Sequence, residues 1–258
     1  MADPNAASLD PARLDEFVQT HLRLAPVPHV PELVLYQTEL AIGLWELTEG
    51  EYRSEAPPPF WAFAWAGGQG LARYVLDHPA EVAGRDVLDL ASGSGLVAIA
   101  AARAGAASAR AVDIDQLGGA AIALNARANE VEVTVTIDDV LDRSVTEVLG
   151  AAWDPAGPTP LVLAGDVFYS KVMADRMLTF ARRAAREGCD VLVGDPGRAY
   201  FPRDYFTPLA TADVPVPREL ESTDVRSVTV WRINPRGAVA HRAGKAPDQA
   251  STPPHEPD

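Results

Sequence analysis

From Asp86 onward the chain alternates short apolar runs with helix-length stretches, and no other feature restricts its fold as tightly. Strands are predicted over residues 86–90, 109–114, 132–137, 160–165 and 190–194, with helices over 96–104, 117–129 and 171–187. Apolar strands interleaved with helices of this length form a mostly parallel sheet covered on both faces, so the expected class is α/β, doubly wound. A further strand is predicted over residues 222–232. Ligands of such sheets bind outside the carboxyl ends of the strands, and the residues that follow each strand are therefore the ones to read.

The first strand runs into Asp89-Leu90-Ala91-Ser92-Gly93-Ser94-Gly95, directly before a helical stretch. Glycines let backbone pass close to a ligand, and a helix start offers unpaired N–H groups, so this turn is a nucleoside-cofactor loop. Gly93-Ser94-Gly95-Leu96-Val97-Ala98 also fits the loose dinucleotide pattern, which alone is weak evidence. The acid at the head of the loop decides between cofactors. Asp89 would repel a pyrophosphate but attract the ammonium of S-adenosylmethionine, so a methyltransferase is expected, with a nicotinamide-dependent dehydrogenase as the competing reading. Asp113 ends the next strand, where an acid meets a ribose diol, although a turn acid would look the same. Its neighbour Asp115 reads as a helix cap. Asp138-Asp139 follows the third strand, and Asp139 is the better placed to accept an adenine amino hydrogen. Asp166-Val167-Phe168-Tyr169 follows the fourth, where Asp166 and Tyr169 should face the transferred methyl group and Phe168 should pack in the core. The Asn/Asp-Pro-Pro-Tyr/Phe motif of many amino-group methyltransferases is absent. Ser170 reads as the cap of the following helix and Gly188 as its stop. Phe60, Trp61, Phe63 and Trp65 precede Gly67-Gly68 and a helix predicted from about residue 69 to 76; the rings suit an apolar lid or, at Trp61 or Trp65, a contact with the cofactor.

Net charge is −14, from 22 Lys+Arg against 36 Asp+Glu. That balance disfavours nucleic acid and suits a small molecule or a basic protein partner. Cys189 is the only cysteine, which excludes an internal disulfide, and it reads as buried filler. The five histidines show no ligand spacing, so no metal site is expected. No signal-like or membrane-spanning run is present, and a cytoplasmic monomer without membrane contact is expected. Asp10-Pro11 should open a helix with Leu14, Phe17, Val18, His21 and Leu22 on its apolar stripe. The proline-containing run 25–31 should end it, and residues 33–45 read equally as strand or helix. The expected organisation is an N-terminal helical extension (1–30), one catalytic domain (31–234) and a disordered tail (235–258).

With these residues in hand, the chain resembles the lysine methyltransferases of the electron-transfer-flavoprotein β subunit, which belong to the seven-β-strand class, in the group marked by an Asp-x-x-Tyr motif. The resemblance rests on an ordered set of segments: Pro31-Glu32-Leu33, Phe60-Trp61-Ala62, Trp65-Ala66-Gly67-Gly68-Gln69 and Val87-Leu88-Asp89-Leu90. The set continues with Asp113-Ile114-Asp115, Gly165-Asp166-Val167-Phe168-Tyr169, Gly194-Asp195-Pro196-Gly197-Arg198, Glu221-Ser222-Thr223 and Thr229-Val230-Trp231. It implies a seven-stranded, Rossmann-like class I methyltransferase. S-adenosyl-L-methionine would be held by Trp61, Trp65, Asp89, Ala91, Ser92, Gly93, Gly95, Asp113, Ile114, Asp139 and Gly165. Asp166 and Tyr169 would border the acceptor-lysine channel, Asp166 aiming the ammonium and Tyr169 supplying a wall and a hydroxyl. The chain differs from the family in having Ala91 and Ser94 within the loop, Ala66 after Trp65, and Ser170 where an acid is common. Protein-lysine methylation, of the flavoprotein β subunit or a similar partner, is the leading expectation. A small-molecule N-methyltransferase acting on a nicotinamide-like compound or amine is the alternative, and a cofactor-binding module without catalysis is a third reading.

Overall fold

The computed structural model describes residues 10–38, 58–150, 157–235 and 237. Helix α1 (Pro11–His21) starts as its sequence dictates: the Asp10 side chain accepts from the Ala12 N–H at 3.1 Å, and Pro11 fills the first turn. Its buried face is Leu14, Phe17 and Val18. The run 25–31 is not a mere break. Strands β1 (Arg23–Val27) and β2 (Val30–Gln37) pair as an antiparallel hairpin, so the expected boundary after residue 30 falls inside one element. Pro26 and Pro31 obscure the pattern, yet a two-stranded ribbon has room for residues without a donor at its edges. The residues at 39–45, left open by the sequence, and the tail from residue 238 onward lie outside the described residues.

A 3₁₀ turn at Phe60–Ala62 leads into α2 (Ala66–Asp77), which begins three residues earlier than predicted because Gly67-Gly68 lie inside the helix. Then follow β3 (Asp86–Leu90), α3 (Leu96–Arg103), β4 (Ser108–Asp113), α4 (Gln116–Ala128), β5 (Thr134–Ile137), α5 (Val145–Leu149) and β6 (Leu161–Gly165). The chain continues through α6 (Lys171–Arg186), β7 (Asp190–Asp195), β8 (Phe206–Pro215), α7 (Arg218–Glu221) and β9 (Val225–Ile233). The seven-stranded sheet has the order β5-β4-β3-β6-β7-β9-β8. Strands β5, β4, β3, β6 and β7 are parallel, and β9 runs antiparallel to both its neighbours. The chain steps outward from β3 to β5, then returns to β6 on the other side of β3. The switch point therefore lies at the carboxyl end of β3, where such folds open a ligand crevice.

Alternation along the strands fills both faces. Val87, Leu161, Leu163 and Leu192 pack under α2 and α3 with Leu71, Val75 and Ile99. Leu88, Leu90, Val162, Val191 and Val193 pack under α6 with Met177, Phe180 and Ala181. Cys189 is buried in this second cluster, as expected of filler, and burial pushes its thiol up to about 11. The hairpin docks on α4 through amides: Asn125 Oδ1 accepts from the Tyr36 N–H at 2.7 Å, and Asn129 Oδ1 from the Val34 N–H at 3.0 Å. Helix α1 packs Leu14, Phe17 and Val18 against Trp61, Phe63, Leu117 and Leu124. Among the described residues no helix is long and apolar enough to cross a membrane, and no group of three or more His, Cys, Asp or Glu could hold a metal ion.

Candidate active site

The ends of β3, β4, β5 and β6 enclose a cavity of about 420 Å³. It is roofed by the segment 58–65 and falls in the size range of small-molecule sites. Asp89 sits at its floor. The side chain is 1% exposed, and its Oδ2 accepts from the Ser92 hydroxyl and, at 3.1 Å, from the Ala98 N–H. Burial pushes this carboxyl up to about 7, against those two hydrogen bonds and with the help of the Asp113 charge. A buried acid poised at neutrality favours a cationic guest, because a positive charge would restore its ionised form.

The loop after β3 turns sharply to keep backbone against the cavity. Ala91 and Gly93 have positive φ, 49° and 57°. The Gly93 N–H donates to Asp113 Oδ2 at 2.8 Å, while Asp113 Oδ1 accepts from the N–H groups of Ile114 and Asp115 at 2.8 and 3.1 Å. Three backbone donors thus aim the Asp113 carboxylate into the cavity from the end of β4. Asp115 caps α4, as expected, accepting from Leu117 at 2.8 Å. Of the residues expected around the cofactor, Trp61, Trp65, Asp89, Ala91, Ser92, Gly93, Asp113, Ile114, Asp139 and Gly165 all line this cavity. Gly95 does not. It turns the chain into α3 at φ 83°, and a Cβ there would press to 3.0 Å of Ile122 Cγ2, so close packing against α4 requires a glycine there.

Asp139 borders the cavity with both carboxylate oxygens already engaged by Arg176, at 2.8 and 2.9 Å, and that guanidinium lowers its pKa. Arg176 also lines the cavity and was not anticipated, because it comes from α6, 37 residues later in the chain.

The larger departure concerns Asp166. It lines the cavity as expected, but its carboxylate is already bound by Arg198 through Nε at 2.6 Å and Nη2 at 3.0 Å, and by the Gly67 N–H at 3.0 Å. Its backbone is left-handed, φ 61°. Arg198 reaches on to Glu221 at 2.6 and 3.0 Å, and Arg226 Nε donates to the same carboxylate at 3.1 Å. Burial works against the charge of Arg198, but Asp166 and Glu221 together hold its pKa above the ordinary value. Asp195, beside this network, accepts from the N–H groups of Gly197 and Arg198 at 2.7 and 2.9 Å, and burial pushes it up to about 6. Gly194 to Arg198 is one of the segments that carry the family resemblance, but nothing in the sequence reveals what its arginine holds.

Tyr169 is half-exposed at the mouth, its phenol raised above the ordinary range by burial and by the Asp113 charge. The Phe60 ring lies 5.5 Å from Tyr169 and 5.9 Å from Trp65, whose indole N–H donates to the Phe60 carbonyl at 2.8 Å. The mouth is therefore walled by three rings. Phe168 is fully buried against Phe201, a core residue as expected, and Ser170 caps α6 through the Met173 N–H at 3.3 Å.

S-adenosylmethionine suits this donor set. Asp89 offers a buried acid for a cationic amino-acid end, Asp113 a carboxylate for ribose hydroxyls, and Val140 and Leu141 an apolar wall for a base.

Comparison with known proteins agrees. The family described as ribosomal protein L11 methyltransferase (PrmA) matches residues 74–152. A Pyrococcus horikoshii structure, provisionally described as an RNA methyltransferase, shares the fold with a TM-score of 0.50 at 15% identity, covering 76% of this chain and 98% of that one. The electron transfer flavoprotein beta subunit lysine methyltransferase of Xenopus laevis is 34% identical over 227 residues, 85% of this chain and 86% of the relative. Its counterpart in Danio rerio is 38% identical over 183 residues, 69% of this chain and 67% of the relative. A chain this similar along most of its length, carrying a cavity so equipped, belongs to the family of electron-transfer-flavoprotein β-subunit lysine methyltransferases.

Proposed function

We propose that the protein transfers a methyl group from S-adenosylmethionine to a lysine side chain of the electron-transfer-flavoprotein β subunit or a similar protein partner. The observation that carries this reading is a single cavity running from the buried acid Asp89 to a mouth walled by Phe60, Trp65 and Tyr169. When bound, S-adenosylmethionine supplies an electrophilic methyl on a sulfonium centre. Asp89 and Asp113 hold its two polar ends, and Asp139, steadied by Arg176, borders the site for the base.

The acceptor must lose a proton to water, because only about one lysine in 10³ is neutral at pH 7 when its pKa is ~10.4. The rings at the mouth favour the uncharged amine by excluding water. With Arg198 balancing Asp166, that carboxylate does not hold the amine in its cationic form. Asp166 serves instead as a fixed anchor that sets Tyr169 at the opening, three residues on. Alignment of the amine with the methyl then supplies most of the acceleration.

The test is incubation of purified protein with S-adenosylmethionine and the recombinant β subunit, followed by peptide mass mapping. Methyl increments on lysine are expected. No transfer to protein, together with methylation of nicotinamide or another free amine, would establish the small-molecule alternative, which no observation here favours.

A further inference from the structure

Nine large apolar side chains are exposed among the described residues, and seven of them, Phe60, Ile114, Ile137, Tyr169, Val172, Tyr200 and Val225, lie at the carboxyl end of the sheet, the end that carries the cavity. Only Leu24 and Leu209 fall elsewhere, so one end of the molecule is apolar out of proportion to the rest. Phe60, Ile114 and Tyr169 both line the cavity and face solvent, Ile114 at 63% exposure. Val172, 73% exposed, stands in the first turn of α6 just after Tyr169. Tyr200, 48% exposed, lies near Lys171. Neither Val172 nor Tyr200 lines the cavity, so cofactor and a free amine give no reason for their exposure.

Charge around the same mouth is also biased. Asp113, Asp138 and Asp139 line the cavity, and Asp142 and Asp175 stand beside them. The cations set against these five carboxylates are Arg143, Arg176 and Lys171. The excess is acidic and favours a basic visitor. A lysine stem has only four carbons, so the backbone bearing it must pass directly over the rim when its amine reaches the methyl.

We infer that Val172 and Tyr200, continuous with the rim formed by Phe60, Ile114 and Tyr169, are a docking surface for the protein that presents the acceptor lysine. The partner it fits is a folded protein whose lysine lies in a basic segment flanked by apolar side chains. This rests on the protein-lysine reading above, and it assigns substrate affinity to residues outside the catalytic cavity.

The test uses the full chain with the double substitution Val172→Lys and Tyr200→Ser, and a second variant, Val172→Ser alone. S-adenosylhomocysteine affinity, measured by calorimetry, should match wild type in both and report that the fold is intact. With the β subunit as acceptor, KM should rise about fivefold or more in the double variant and less in the single one, with kcat within about twofold. Unchanged KM in a double variant that still binds S-adenosylhomocysteine overturns the docking surface and leaves the lysine reading standing. Wild-type protein that modifies no β-subunit lysine overturns the lysine reading itself, and the surface with it.

Discussion

Ala91 holds a left-handed backbone, φ 49°, in the loop that turns from β3 beneath the cofactor site. An L-residue there costs roughly 1–2 kcal/mol relative to right-handed conformations, and glycine does not pay it. Ala91→Gly should therefore raise stability by about 0.5–1 kcal/mol in urea unfolding, after the entropy glycine gives back to the unfolded chain. Asp89 makes a different prediction. With its carboxyl near 7 in the empty protein, binding an ammonium requires the ionised form, so affinity is full above that pH and is lost below it. Calorimetric titration with S-adenosylhomocysteine between pH 5.5 and 8 should show affinity falling by up to about tenfold per unit below pH 7. Asp89→Asn should bind weakly and without that slope. The places of Asp89, Asp113 and Tyr169 at the cavity were legible because each stands at or just past the carboxyl end of a strand. Arg176 and Arg198 were not, since each meets its acid across more than 30 residues of chain, and only the folded sheet brings them together.

Glycines set how closely α2 can approach the sheet. A Cβ on Gly165, at the end of β6, would lie 2.6 Å from Gly68 Cα, and one on Gly194 would overlap the Gly67 carbonyl. A Cβ on Gly68 itself would meet only Val97 Cγ2, at 4.0 Å. Gly165→Ala should thus cost about 3 kcal/mol by overpacking, while Gly68→Ala should leave thermal stability unchanged or slightly higher. Circular dichroism melts of the two variants make the comparison. The same packing explains why the start of α2 was misplaced: Gly67-Gly68 look like a break until the backbone they accommodate is known. Strands β3, β6 and β7 could be read because they are buried on both faces and their interiors are mainly apolar. Strand β8 could not. It lies at the sheet edge, with Phe206 and Val214 buried at its ends, mostly exposed residues between them, and Pro208 and Pro215 within it.

Across the whole molecule, one ion network ties together segments that are far apart in sequence. Asp166 after β6, Arg198 after β7, Glu221 in α7 and Arg226 in β9 join in a chain, with the start of α2 attached through Gly67. The side chains of Asp166 and Glu221 are 4% and 3% exposed, so removing the cation between them leaves Asp166 buried without an ion partner and Glu221 with Arg226 alone. Arg198→Met should cost about 3–5 kcal/mol in denaturant unfolding, far more than Arg218→Met, whose partner Asp224 is exposed. Residues 10–22 matter at this scale too. Helix α1 covers the rear of Trp61 and Phe63, whose other sides face the cavity. A shortened expression version beginning at residue 23 would wet the back of the cofactor's own wall, so the amino-terminal arm is a buttress rather than an appendage, and trimming it would loosen the grip on the methyl donor without altering any residue that touches it.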